Sequence, residues 1–253
     1  MKLLRQTIRY LIKEGLYFDQ LKDLALYEVD QRESKIYILF HPDLINEIIE
    51  ADLDIDDLAR SKNALAMMKV NTKRDFDRLC YNSWQVKLAG AFKGWGPTMY
   101  DIVMGDSPNG IMADRESVSD PAFDVWDFYY KNRNVEKKPL DWHEVAWTQE
   151  EEDDCDWGAK GDHWKYLNNW ENHYDNWGNP VTLQSDPNIG HEEFLSDPLN
   201  WVYNRGPVPN REALRNNFAI AKQRIEDSDR FWVPMMWKKL ASKMFDYSLT
   251  RRY

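Results

Sequence analysis

Apolar positions follow two rhythms along this chain. Leu4, Ile8, Leu11 and Ile12 fall at helical spacing, with Lys2, Arg5, Arg9 and Lys13 between them. That predicts a basic amphipathic helix over residues 1–15, stopped near Gly15. The run KIYILF, Lys35 to Phe40, is dense in β-branched and aromatic residues and predicts a strand. HPDLINEIIEA then reads as a helix, with Pro42 near its start and Leu44, Ile45, Ile48 and Ile49 on one face. DLDIDDLARSKNALAMMKV opens with helical spacing, while its ALAMMKV end fits either state. A strand is expected around Tyr81 to Leu88, a helix over Pro97–Met104, a turn at GDSPNG and a short buried strand over Gly110–Asp114. SVSDPAFDVWDFYYKNR predicts a helix capped by Ser119, with Asp120 and Pro121 in its first turn and Ala122, Val125, Trp126 and Tyr129 on one face.

After Pro139 the texture changes. EEEDDCD, Glu150 to Asp156, reads as a solvated acidic run. A stretch rich in Trp, Asn, Asp and Gly continues to about Pro198 with little periodicity, and is expected to be irregular but ordered. NREALRNNFAIAKQRIEDSDRFWVPMMWKKLASKMFDYS reads as one or two helices broken at Pro234. No internal repeat is visible.

One stretch between these elements carries a chemical suggestion. AFKGWGPTMYDIVM, Ala91 to Met104, passes from strand through two glycines to a helix that begins on a proline. Glycine lets a backbone approach a ligand without a Cβ in the way. The first N–H groups of a helix have no internal partner, and the helix dipole adds partial positive charge there. Pro97 removes a donor the helix does not need, and Lys93 adds a mobile cation. Residues 93–98 therefore read either as a cradle for a phosphate or pyrophosphate or as a tight strand-to-helix corner with no ligand.

Composition narrows the alternatives. The chain has 253 residues and a formal charge of −10. Such an acidic chain lacks the basic stripe of a direct nucleic-acid binder. No apolar run reaches the length of a membrane span. The basic leading helix either docks on its own domain, addresses a partner or lies on a membrane surface, the last disfavoured by the acidic remainder. Cys80 and Cys155 show no clustered spacing, which suggests two free thiols and a reduced compartment, with Cys80 buried and inert. Asp153, Asp154, Cys155 and Asp156, with His143 or His163, have no zinc-like spacing, so no metal is expected. Twelve tryptophans, seven of them from Trp142 to Trp201, need burial in the fold, in a partner or against a ligand. A clamp over the domain or a subunit interface fits that stretch better than a surface that stacks sugars or nucleotides.

The element order resembles the GNAT superfamily of acetyl-CoA-dependent N-acyltransferases. The matching pieces are YNSWQVKLA, FKGWGPTMYDIVM, GIMAD and VSDPAFDVWDFYYKNR. Ala91 stands where that family carries Gln or Arg. At the level of motifs the chain resembles a set of tailed-bacteriophage proteins, through GWGPTMYDIVM, ADRESVSDPAFDVWDFYYKNRNV, PLD and DDC, over roughly Cys80 to Cys155, with a fainter echo at SDPLNWVYNRGPVPNREALR. The resemblance implies an α+β fold: a GNAT-like mixed sheet flanked by helices over residues 16–140, preceded by the helix at 1–15. An acidic, Trp-rich extension with C-terminal helices fills residues 141–253.

It also implies roles. Trp84, Gln85 and Val86 would line the pantetheine arm of an acyl-CoA such as acetyl-CoA, and Lys93, Gly94, Trp95, Gly96 and Thr98 would hold its pyrophosphate. Transfer to an amine needs a base for the acceptor and an acid for the departing thiolate. Tyr129, then Tyr130, are the candidate acids, though Tyr129 also fits plain core packing beside Trp126. Asp114 and Glu116 are the candidate bases, though both also fit a surface turn in which Arg115 pairs with a carboxylate. The alternative is a virion component, a head, neck, tail or packaged protein, that keeps this architecture without catalysis. It would meet other virion or phage proteins through the basic helix and the Trp-rich half, as an oligomer in some states. Either way the expected location is the host cytoplasm or the virion, without a secretory signal.

Overall fold

The computed structural model of this chain describes residues 21–50, 61–72, 80–92, 94–114, 118–132, 134–142, 148–155 and 191–227. The helix expected at 1–15, most of the Trp-rich stretch and the chain around Pro234 lie outside the described residues, as do Lys93, Arg115 and Glu116. In chain order the elements are β1 (Ala25–Asp30), β2 (Ser34–Phe40), α1 (Asp43–Glu50), β3 (Ala64–Asn71), a short turn Cys80–Asn82, β4 (Trp84–Ala91), α2 (Gly96–Met104) and β5 (Ile111–Met112). Then come α3 (Asp120–Lys131), β6 (Glu136–Pro139), β7 (Asp141–Trp142), β8 (Asp154–Cys155), α4 (His191–Ser196), a 3-10 turn Pro198–Asn200, β9 (Trp201–Asn204) and α5 (Arg211–Glu226). The fold is α+β. Seven strands join in the order β1-β2-β3-β4-β5-β9-β6, and β7 and β8 form a separate pair. The larger sheet is mostly antiparallel; β4 and β5 run parallel, with Trp84 opposite Ile111 and Gln85 opposite Met112.

The chain divides into two compact units. One comprises Met1–Lys69, Leu88–Val103 and Pro207–Tyr253, the other Val70–Lys87 and Met104–Gly206. In the first unit β1 and β2 pair antiparallel from Ala25 opposite Phe40 to Asp30 opposite Lys35. Ala25, Ile36, Ile38, Phe40, Leu44, Ile45, Ala64 and Met67 form its buried core. The α5 helix is polar overall, but Leu214, Phe218 and Ala221 recur four and three residues apart, a one-sided apolar stripe. Leu214 and Ala221 are buried, and the Phe218 ring lies 4.9 Å from that of Tyr27. Glu28 anchors the same helix to β1, accepting from Arg211 Nη2 at 3.2 Å and Arg215 Nη2 at 2.9 Å.

In the second unit α3 lays Trp126 and Tyr129 inward, and the Trp126 ring sits 5.4 Å from that of Tyr203 on β9. Tyr203 donates its hydroxyl to Pro198 O at 2.6 Å, so the buried phenol is satisfied. A second cluster gathers Met112, Leu140, Phe194 and Val202 around Cys80 and Cys155.

Several expectations are corrected here. The cysteines are not free: Cys80 and Cys155 form a disulfide with a Cα–Cα distance of 4.8 Å. Their 75-residue separation hid the pairing, because sequence spacing says nothing of a contact that the fold makes at long range. A bridge over a loop that long stabilises by about 4 kcal/mol in chain-entropy accounting. The strand expected from Tyr81 begins instead at Trp84, because Cys80, Tyr81 and Asn82 take positive φ values of 59°, 55° and 52°. The acidic run is not wholly solvated: Asp153 is 3% exposed and Asp154–Cys155 pair with β7. Ser119 occupies the N-cap position of α3 but its side chain makes no capping bond. ALAMMKV resolves to strand. Strands β1, β6 and β9 were not anticipated.

Gly94 and Gly110 both take positive φ, at +94° and +88°. A Cβ on Gly94 would meet nothing within 4 Å, whereas one on Gly110 would stand 2.6 Å from Tyr203 O. Gly94→Ala should therefore cost only the backbone penalty, about 1–2 kcal/mol. Gly110→Ala adds a steric overlap and should cost about 3 kcal/mol or more. Urea unfolding of both variants checks the order; equal losses would contradict it.

Candidate functional site

The glycine turn forms because β4 must leave the sheet at Ala91. Phe92 N still donates to Leu65 O at 2.9 Å, and Trp95 N then closes a tight turn onto Phe92 O at 3.0 Å. Gly94 supplies the positive φ at the apex and is exposed. The helix starts at Gly96, with Pro97 in its first turn and Met99 N bonded back to Trp95 O at 3.1 Å. Of the backbone donors expected to face a ligand, that of Trp95 is thus already used within the protein. Thr98 is fully buried, and its Oγ1 has no hydrogen-bond partner. An enclosed hydroxyl without a partner costs free energy and marks this first turn as unusual.

The other candidates lie in the second unit. Trp84 N donates to Gly110 O at 3.0 Å, which seats the start of β4 beside β5. Gln85 and Lys87 alternate onto one face of β4, as a strand requires. Both reach Asp114: Gln85 Nε2 donates to its Oδ1 at 3.1 Å and Lys87 Nζ at 2.9 Å. Asp114 is only 8% exposed, so the sequence alternative of an open surface turn does not hold for it. Its cationic partner is Lys87, which sequence reasoning passed over; the two-residue spacing from Gln85 was the available signal.

Tyr129 is fully buried among aromatic rings, 5.1 Å from Phe128 and 6.3 Å from Tyr203. This is the core-packing arrangement foreseen as its alternative. Tyr130 is half-buried; its hydroxyl donates to Leu195 O at 3.2 Å and Lys137 Nζ lies 5.6 Å from its ring centre. Val86 is buried in β4.

A third place joins Asp141 to Asp153 and Asp154, two of the residues set aside as metal ligands for want of a zinc-like spacing. Carboxylate oxygens of Asp141, Asp153 and Asp154 lie within 4.8 Å of one another, a spacing that a divalent cation can bridge. Thr148 serves this corner from within the chain: its N–H donates to Asp141 Oδ2 at 2.7 Å and its hydroxyl to Asp153 Oδ2 at 3.0 Å. Burial raises the Asp153 pKa, against the lowering effect of the Thr148 hydroxyl, with the Asp141 charge adding to the rise. Burial, with the charges of Asp153, Glu150, Glu152 and Asp141, pushes the Tyr81 hydroxyl up to about 12. Comparison with family models, curated proteins and solved structures finds no match.

Thr98→Val keeps the branched shape and removes the unpartnered hydroxyl. It should raise stability by about 1 kcal/mol or more, read as a higher Tm; a loss of stability would show that the hydroxyl is in use. Asp153 binds its proton more tightly folded than unfolded, so its contribution favours the fold at low pH and is lost as pH rises through the folded pKa. Asp153→Asn should therefore gain on the parent as pH is raised from 4 to 7. Parallel urea curves at the two values check the sign.

Proposed function

We propose that this chain is an acyl-CoA-dependent N-acyltransferase of GNAT-like architecture, with the turn at residues 94–98 taking the cofactor diphosphate. The observation that carries this reading is the connection between β4 and β5. These two strands run parallel in a mostly antiparallel sheet, and the chain between them consists of a glycine turn followed by a helix. Parallel neighbours need a crossover, and a helix N-terminus at its start is where anions are held. The residues fit a diphosphate in one further respect. Gly94 leaves its backbone uncovered, with open space where a side chain would stand.

Acyl-CoA would supply a thioester, whose acyl carbon an amine can attack. For the chain's own part, Lys93 and the backbone of Gly94 and Gly96 would bind and orient phosphate oxygens. Asp114 is the carboxylate for proton removal from an ammonium acceptor, and its ion pair with Lys87 fixes its direction. Tyr130, half-buried, stands ahead of Tyr129 as proton donor to a thiolate, because Tyr129 has no exposure.

The enclosure of Tyr129 and the occupied state of Asp114 favour a second reading: a virion component that retains the architecture without turnover. The test separates them. Full-length protein is melted with and without millimolar coenzyme A. The first reading expects a saturable rise in Tm, weakened about tenfold in apparent Kd by Lys93→Ala, since a hydrogen bond to a charged group contributes about 1.5 kcal/mol or more. An unchanged Tm at saturating coenzyme A removes the transferase reading, and co-sedimentation with particles then decides the second.

A further inference from the structure

We propose that the Cys80–Cys155 disulfide is a redox-operated latch on the turn that leads into β4. Cys80, Tyr81 and Asn82 lie in succession in the left-handed region, with φ of 59°, 55° and 52°. Residues with a Cβ visit this region singly, and each adds an unfavourable contribution. Three in a row persist only where neighbouring contacts over-determine them.

The one covalent contact among them is the bridge. The disulfide fixes Cys80 to Cys155, and Tyr81 N donates to Glu152 O at 2.5 Å, three residues before that cysteine. Ser83 N and Oγ both donate to Cys80 O, at 3.0 and 2.8 Å. Cys155 itself sits on β8, which among the described residues pairs with β7 through Asp141–Asp154 and Trp142–Cys155. The partner side of the latch is therefore this parallel pair, with the buried carboxylate of Asp141 on β7 and that of Asp153 just before β8. Asn109 Nδ2 also donates to Asn82 O at 3.5 Å and Lys138 Nζ lies 5.2 Å from the Tyr81 ring centre, so removing the bridge leaves the strained turn on non-covalent contacts. The next residues along the chain are Trp84 and Gln85, whose pairing with Ile111 and Met112 sets β4 beside β5.

The chemistry is a thiol–disulfide exchange with a dithiol. One thiolate of the reductant attacks a sulfur of the bridge, the Cys80–Cys155 bond breaks, and a mixed disulfide forms. The second reductant thiolate then displaces the protein sulfur. Two electrons and two protons pass to the chain, giving two thiols, while the dithiol leaves as a cyclic disulfide. Both cysteines are fully buried, so attack waits for the β7–β8 corner to open. Once reduced, the turn relaxes from the left-handed region and the start of β4 loosens with it.

The experiment uses the full chain. Alkylation under denaturing conditions without reductant, followed by mass measurement, should add no alkyl group to air-exposed protein and two after dithiothreitol. Amide exchange in residues 80–86 and 154–155 should rise at least tenfold on reduction, while residues 36–40 stay unchanged, and reoxidation should restore protection. Asn82→Gly relieves one left-handed residue, so its rise on reduction should be less than half that of the parent. Two alkylated thiols in the air-exposed protein overturn the proposal. So does a bridge whose reduction leaves exchange at 80–86 unaltered, or an Asn82→Gly variant that responds as strongly as the parent. Because reduction is chemical, the test does not require Cys80→Ser or Cys155→Ser variants to fold.

Discussion

Two residues of parallel pairing, Trp84 against Ile111 and Gln85 against Met112, constrain the rest of this chain. Parallel neighbours cannot be joined by a hairpin, so the chain between them must leave the sheet and come back pointing the same way. It does so in one glycine turn, one helix and the tight bend at Gly110, where only a residue without a Cβ passes under Tyr203 O. Everything proposed about function depends on that excursion. Had β4 and β5 been antiparallel, a short loop would have sufficed, and no helix N-terminus would have been brought to the end of β4.

Carboxylates are the second organising theme, in a chain whose formal charge is −10. Among the described residues three aspartates are buried in the second unit, and they are accommodated differently. Asp114 has a lysine and an amide. Asp141 has a backbone N–H, and Asp153 a hydroxyl. Burial raises the Asp153 pKa, and burial together with the Asp153 charge raises that of the neighbouring Tyr81 phenol. The acidic run therefore has two characters. Glu150, Glu151 and Glu152 face water, and Asp153 turns in.

What could be read from the residues was local. KIYILF, HPDLINEIIEA and DPAFDVWDFYYK announce themselves because their apolar spacing matches the period of the element they form, and each lies within a residue or two of its expected place. The helix at Gly96 was visible because glycine and proline have backbone preferences of their own. Strands β1 and β9 were missed because ALYEVD mixes acidic residues into a short run, and WVYN is too short to show alternation. EKKP carries almost no apolar signal, and becomes a strand only because β9 offers it partners. The site divides in the same way. Gly94 was readable from its type, but the engagement of Asp114 by Lys87, the enclosure of Thr98 and the joining of Cys80 to Cys155 are contacts between distant segments, which no local pattern encodes.

Strand β6 has a consequence for how copies of this chain can meet. Among the described residues it is the last strand in the sheet order, beside β9, and its sequence is Glu-Lys-Lys-Pro. Charged side chains along a sheet margin and a proline that offers no N–H make that margin a poor template for a foreign strand. Fibrous, margin-to-margin growth is thereby discouraged at this side.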